Sequence, residues 1–310
     1  MAGITDYTGR LLPDISKSIV DHYFKARPTY GYFYKRKKTW KGGLEKRTNR
    51  ITTTNGTTVA VDLTTTSLAG PTTLSSTLSA AQYKLVGYRT PVSLTWEAQL
   101  KSKGSLAIIS EIENIMTQAY KEHYDFQAND FMNGNGSSNA ALGVVSIMTL
   151  NQIYGNVDPT LETDWQPKTV SASTPLTGSM QITGQITLIR DAGDRPNIGF
   201  TGDNNYIRLQ SFAAQASEIE GAQGEEANLG WDYVKINGVK FVDDKDWVSG
   251  NLSIFTDKYI DLWVDDVFDY RFSGFVNPKG EVYLTGDIRS AWLLYLESRR
   301  RQGGFTATTL

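Results

Sequence analysis

With 310 residues, 40% of them hydrophobic and 21% charged, the chain can bury one large or two ordinary cores, which excludes a disordered or fibrous protein. The absence of cysteine excludes disulfides, thiolate catalysis and cysteine metal sites, and fits folding in a reducing compartment. No apolar run approaches the roughly 18 residues of a membrane helix. Asp6, Arg10, Pro13 and Asp14 interrupt the apolar core that a signal peptide needs, so a soluble chain not exported by that route is expected.

The formal charge of -2 hides an asymmetry. Residues 1–50 carry twelve Lys and Arg against Asp6, Asp14, Asp21 and Glu45, a local +8 that leaves -10 on the other 260 residues. The cations Lys35, Arg36, Lys37, Lys38, Lys41, Lys46, Arg47 and Arg50 interleave with Tyr30, Tyr32, Phe33, Tyr34 and Trp40. Such a segment fits either of two partners: phosphate backbones, bound without base reading and in a salt-dependent way, or an acidic neighbouring protein surface.

In chain order, residues 1–45 read as an arm with no core of its own and one amphipathic helix over 12–24, where Ile15, Ile19 and Phe24 share a face. From Arg50 to Trp96 the pattern is β. Residues 51–79 are a Thr- and Ser-rich sweep with a single charge, Asp62, and Val59, Val61 and Leu63 alternate there with polar residues. Turn signals stand at Asn55-Gly56 and at Ala69-Gly70-Pro71, and Val92, Leu94 and Trp96 alternate again. A hairpin with about fifteen residues per leg reaches about 45–50 Å, at about 3.3 Å per residue. An isolated two-stranded ribbon is marginally stable in water, so a long one with a threonine surface implies another chain lying against it.

The next segment predicts one long helix over 104–133, capped by Ser105 and stopped at Gly134, with Leu106, Ile108, Ile109, Ile112, Ile115, Met116, Ala119 and Phe126 at helical spacing. A Gly/Ser/Asn loop follows, then an irregular stretch over 151–180. Helices are expected over 180–191 and 205–217, with an extended PNIGFTG between them and an exposed loop over 218–230. The last eighty residues alternate as strands. The fold class is α+β with one long helix and several antiparallel strands.

Signals for catalysis are sparse. His22 and His123 have no second His or Cys at ligand spacing. The acids Asp243, Asp244 and Asp246, and Asp257, Asp261, Asp265, Asp266 and Asp269, form no calcium-loop pattern and read as structural or solvated groups. Gly134-Asn135-Gly136 ends a helix where a dinucleotide loop opens one, and no phosphate-loop motif occurs. No catalytic, cofactor or metal residue is assigned.

Basic arm, long ribbon, long helix ending in a Gly-rich loop, then an α+β body: this order resembles the major capsid protein family of tailed bacteriophages, the Hong Kong 97 fold. TPVSLTWEAQL, the helix from Gly104 to Asn133 and GNGSSNAALGVVSI are similar to that family's passage from extended loop through spine helix into the body. DRPNIGFTGDNNYIRLQ, INGVKFVDD and SIFTDKYIDLWV resemble its axial domain and the return to its peripheral domain. The likeness is one of pattern and spans nearly the whole chain.

The resemblance implies an arm over 1–50, an extended loop and return strand over 51–95, a spine helix over 96–140, an axial domain over 141–255, and peripheral return strands with a C-terminal segment over 256–310. It implies a structural protein, not an enzyme, that assembles as hexamers and pentamers into an icosahedral shell around double-stranded DNA. Such a procapsid matures in the host cytoplasm with portal, scaffolding and possibly decoration proteins and no membrane contact. The loop residues expected against a neighbour are Thr54, Asn55, Gly56, Thr58, Val59, Val61, Leu63, Gly70 and Pro71. Some members crosslink through a loop lysine; none lies between Ile51 and Gln82, so no crosslink is expected. The chain passes from Met1 directly into the arm, which implies a separate scaffolding protein or a chain already trimmed. The competing readings are a tail or decoration protein, and a carbohydrate-binding or hydrolytic protein using the acidic C-terminal third with Trp247, Trp263 and Tyr270.

Overall fold

A computed structural model of the chain describes residues 27–42, 45–47, 51–52, 78–95, 105–137, 140–171, 176–190, 193–216, 232–247, 250–278 and 283–306. The helix expected over 12–24, Trp96 and the loop over 218–230 lie outside them.

The helix α2, Ser105–Asn133, is 29 residues long, about 43 Å at 1.5 Å per residue. Met116, Ala119, Tyr120, His123, Tyr124, Gln127, Ala128, Phe131 and Met132 are buried, at steps of three and four that keep one stripe inward. Phe126 does not belong to that stripe. It is 64% exposed, because its position points away from the inner face, and its ring meets Tyr88 at the margin. Here the inner face is set by aromatic and polar residues together, which an apolar count alone misplaces.

The face of α2 packs on a five-stranded sheet. Strand β14, Leu284–Leu296, is its axis. On one side β14 pairs with β6, Val86–Leu94, through nine residues from Leu284↔Leu94 to Trp292↔Val86. On the other it pairs with β12, Ile260–Asp265, and β13, Arg271–Phe272. Strand β1, Lys38–Trp40, adds to β12 in parallel. Alternation supplies the buried side: Tyr88, Val92 and Leu94 of β6 and Ile288, Trp292, Leu294 and Leu296 of β14 face inward.

Helix α1, Pro28–Lys35, enters the same core, with Tyr30 2%, Tyr32 5% and Phe33 2% exposed. Proline suits the first turn, where its missing N–H costs nothing. Helix α1 thus has no core of its own and contributes its aromatic residues to the core of the body, while Lys35 at its end and Arg36, Lys38 and Lys41 after it are exposed. Its aromatic residues pack against Tyr124, Phe131 and Phe200 instead of presenting stacking faces.

The second sheet has six strands in the order β7-β15-β11-β8-β10-β9, formed by Lys168–Ser171, Gln302–Thr306, Leu252–Phe255, Ile198–Thr201, Val239–Asp243 and Tyr233–Ile236. Helices α4, Ser179–Ile189, and α5, Asp203–Ala216, cover it around a separate core of Ile182, Ile186, Leu209, Val239, Phe241 and Ile254. Residues 141–165 pack on the first core, and strand β15, in the C-terminal segment, joins the second sheet.

The short helix α3, Val144–Met148, follows the stop of α2. Gly134 sits where the chain folds back: its N–H donates to Asp130 O at 2.7 Å, and a Cβ there would collide with the carbonyl oxygens of Asp130 and Ala141. Gly134→Ala is expected to destabilise the subunit by about 2 kcal/mol, read as a shift in the urea midpoint, since the obstacle is backbone and cannot rotate away.

Candidate functional site

The root of the ribbon is ordered. Strand β2, Glu45–Arg47, pairs antiparallel with β5, Gln82–Lys84, and β3, Ile51–Thr52, pairs with β4, Leu78–Ser79. Two legs thus run side by side with residues 53–77 between them. The loop positions Thr54, Asn55, Gly56, Thr58, Val59, Val61, Leu63, Gly70 and Pro71 lie outside the described residues. Tyr83 anchors the root: it is buried, and its hydroxyl donates to Leu296 O at 2.9 Å. An open groove of about 640 Å³ flanks the root, between residues 82–87, Gly136, residues 140–142, and Leu293 and Leu294.

The basic segment is tied to this chain's own acids. Arg36 pairs with Asp257 and Lys37 with Asp269, while Lys38 Nζ stands 2.7 Å from Asp261. Tyr32 and Tyr34 donate to the same carboxylates, Asp257 and Asp269, at 2.7 Å each. Lys35 and Lys41 are exposed; Lys46, Arg47 and Arg50 have no described side chains. These three cations therefore meet acids of the same chain. Asp257, Asp261 and Asp269, read from sequence as a solvated face, are the anchors of helix α1 and strand β1.

The other acidic cluster is also structural. Asp244 is 1% exposed and accepts from the N–H of Thr29, in the first turn of α1, at 3.0 Å, where the helix dipole favours a negative charge. Burial raises its pKa, opposed by those hydrogen bonds. Asp243, at the end of β10, is pushed up to about 6 by burial and by the neighbouring Asp203. Trp247 and Tyr270 are 3% and 7% exposed, so the aromatic platform that a sugar-binding reading needs is not presented by these two residues. Among the described residues no three His, Cys, Asp or Glu are grouped to hold a metal, and no helix is long and apolar enough to cross a membrane.

His123 joins α2 to the sheet. Its Nδ1 lies 2.7 Å from Thr90 Oγ1 and its Nε2 2.8 Å from Ser290 Oγ, while Gln127 Nε2 donates to Ser290. With Gln127 donating to Ser290 and the Ser290 hydroxyl donating to Nε2, the remaining proton sits on Nδ1 and goes to Thr90. Burial disfavours the charged imidazolium and lowers its pKa from 6.5 to about 4. The neutral folded form has no cost above pH 6.5. As pH falls from 6.5 to about 4 the unfolded chain takes up a proton that the folded one refuses, and about 3 kcal/mol of stability is lost, at about 1.4 kcal/mol per pH unit. Urea unfolding of dissociated subunits at pH 7 and pH 4.5 is expected to show this loss in the wild type. In His123→Gln, which cannot titrate, the loss is expected to shrink by about 2 kcal/mol.

One residue that the sequence reading passed over is Arg299. It is wholly buried, and its guanidinium donates to four backbone carbonyls: Ser146, Ile147, Thr149 and Gln152, at 2.6–3.0 Å. These carbonyls end helix α3, and Arg299 lies in the turn between β14 of the first sheet and β15 of the second. Beside it, Gln302 exchanges hydrogen bonds with the backbone of Thr256, on the other link between the sheets.

No family model and no curated protein matches the chain. Solved structures do. A capsid asymmetric unit of cyanophage A-1(L) matches with a TM-score of 0.66 and 13% identity, over 92% of this chain and 93% of that one. The capsid of a native GTA particle matches with a TM-score of 0.59 and 9% identity, over 89% and 90%. The SrpI encapsulin of Synechococcus elongatus is more distant, with a TM-score of 0.50 and 8% identity over 74% and 76%. With near-complete mutual coverage, the chain shares the fold of these phage and GTA capsid structures.

Proposed function

We propose that the protein is a structural major capsid protein, without catalytic function, that self-assembles into a closed icosahedral shell around the double-stranded DNA of a tailed phage. The observation that carries the reading is the two-way coverage above nine-tenths with a cyanophage capsid subunit: neither chain has a large part that the other lacks. A tail or decoration role is disfavoured by the same coverage. A sugar-binding or hydrolytic role is disfavoured because Asp257, Asp261 and Asp269 are engaged in holding helix α1 and strand β1, and Trp247 and Tyr270 are buried. Subunits arrange as hexamers and pentamers, with portal and scaffolding proteins as further partners and the virion as the location. Interfaces that are individually modest close a shell because each subunit is held at several edges at once.

The ribbon with legs at 45–52 and 78–84 is the reaching element, and residues 53–77 lie across an adjacent subunit. Threonine hydroxyls and backbone groups there exchange hydrogen bonds with the neighbour. With Arg36, Lys37 and Lys38 paired within the subunit, contact with packaged DNA falls to the remaining cations of residues 1–50. The test is the content of purified particles. Nuclease-protected DNA of genome length fits a phage capsid; shells that never protect DNA and enclose a protein instead fit the encapsulin-like use of the fold and overturn the proposal.

A further inference from the structure

Three arginines stand in register on one face of the first sheet. Arg271 of β13 is opposite Arg289 of β14, which is opposite Arg89 of β6. Residues directly opposite on adjacent strands point to the same face with Cα atoms about 4.5–5.5 Å apart. This face is the one away from α2, since the alternating residues Tyr88, Ile288 and Ser290 point toward that helix. All three arginines are exposed.

Like charges in direct opposition destabilise a sheet unless something offsets them. Asp287 offsets part of the charge: it is 7% exposed, lies 2.7 Å from Arg89 Nε and 3.0 Å from Arg289 Nη2, and these two arginines hold its pKa below the usual carboxylate value against its burial. Asp287 is the only carboxylate in ion-pair contact with the row among the described residues, so three guanidinium groups meet one negative charge. Arg271 has no ion-pair partner among them.

The Arg271 end of the row, without an acidic partner among the described residues, opens on a cavity of about 210 Å³, lined by Arg271, Arg289, Ser273, Phe268 and Phe272. Phe268, which lines it, is 39% exposed. A pair of arginines beside one exposed phenylalanine ring matches a single anion on a folded surface, held by a planar fork at a partly apolar site, better than an extended, fully hydrated phosphate backbone. Arginine's planar fork is suited to a carboxylate, and partial desolvation strengthens the pairing. The chain itself is rich in such groups, with -10 outside its first fifty residues.

We infer that the cavity between Arg271 and Arg289 receives an Asp or Glu side chain from a second copy of this chain, which closes the charge of the row at a subunit interface. The inference rests on the assembly reading above. It is tested with Arg271→Lys particles treated with a carbodiimide, which condenses a contacting amine and carboxylate into an amide with loss of water. Peptide mass spectrometry is expected to find an inter-subunit amide at position 271. In parallel, Arg271→Gln is expected to raise the concentration threshold for assembly about tenfold and to weaken its salt dependence, with the unfolding midpoint of dissociated subunits unchanged.

Particles that carry other inter-subunit amides but none at position 271 overturn the inference and leave the assembly reading standing. Arg271→Gln with unchanged assembly and weaker binding of a short DNA duplex also overturns it, in favour of a phosphate site. A wild-type chain that stays monomeric removes both.

Discussion

Arg299→Met is expected to cost the subunit about 4 kcal/mol. The side chain is of similar length and apolar, so the packing volume is largely kept while the donors to Ser146 O, Ile147 O, Thr149 O and Gln152 O are lost. A hydrogen bond from a charged donor contributes about 1.5–3 kcal/mol, and a buried acceptor left bare costs about 1–3 kcal/mol, terms that overlap and do not add in full. No carboxylate neutralises Arg299 within its described contacts; the carbonyls ending α3, with the negative end of its dipole, take that role, and the guanidinium lies 5.6 Å from the Tyr154 ring centroid. Burial lowers its pKa to about 10, which leaves it charged at neutral pH. Arg299→Lys keeps the charge but cannot reach four acceptors and is expected to lose about 2 kcal/mol. Urea unfolding of dissociated subunits measures both, and losses below about 1 kcal/mol in each would show that the carbonyl cluster does not depend on Arg299.

The second large effect is on assembly. Replacing residues 53–77 by a short Gly-Ser turn joins Thr52 to Leu78, which are already register partners, and so leaves both legs intact. The variant is expected to fold with an unfolding midpoint near that of the wild type and to form no shells at concentrations where the wild type forms them, because the element proposed to cover the neighbour is gone. Sedimentation separates the two species. Shells of normal size from this variant would remove the role assigned to the ribbon.

Helix α2 was legible because 29 residues of helical periodicity with a glycine stop leave no competing reading. Its inner face was less so. Tyr120, His123, Tyr124 and Gln127 face the core with their polar atoms hydrogen-bonded or enclosed among other rings, and a purely apolar count placed Phe126 there instead. The segment PTYGYFYK concealed helix α1 for a related reason. Glycine and aromatic residues have modest helix propensity, and the run ends in Lys35 and is followed by Arg36, Lys37 and Lys38, so locally it resembles a nucleic-acid-binding patch. Contacts distant in sequence, with Asp244, Asp257, Asp261 and Asp269 and with the rings of Tyr124, Phe131 and Phe200, make it a buried helix and an added strand. Pairing of Lys38 with Trp263 leaves no local signal.

The same limit explains Arg299. In the run Arg299-Arg300-Arg301 near the end of the chain, three cations read alike, yet one is 0% exposed and holds four carbonyls. Position in a turn between two sheets, which no spacing rule reports, makes the difference. The arginine row is likewise invisible in sequence: residues 89, 271 and 289 meet only through strand register.

The most direct test is electron microscopy of the purified chain, produced with its scaffolding protein where one is required. The account predicts closed shells of uniform diameter in which residues 53–77 lie over the adjacent subunit. A 34.4 kDa monomer at every concentration, with those residues folded against their own subunit, would contradict it.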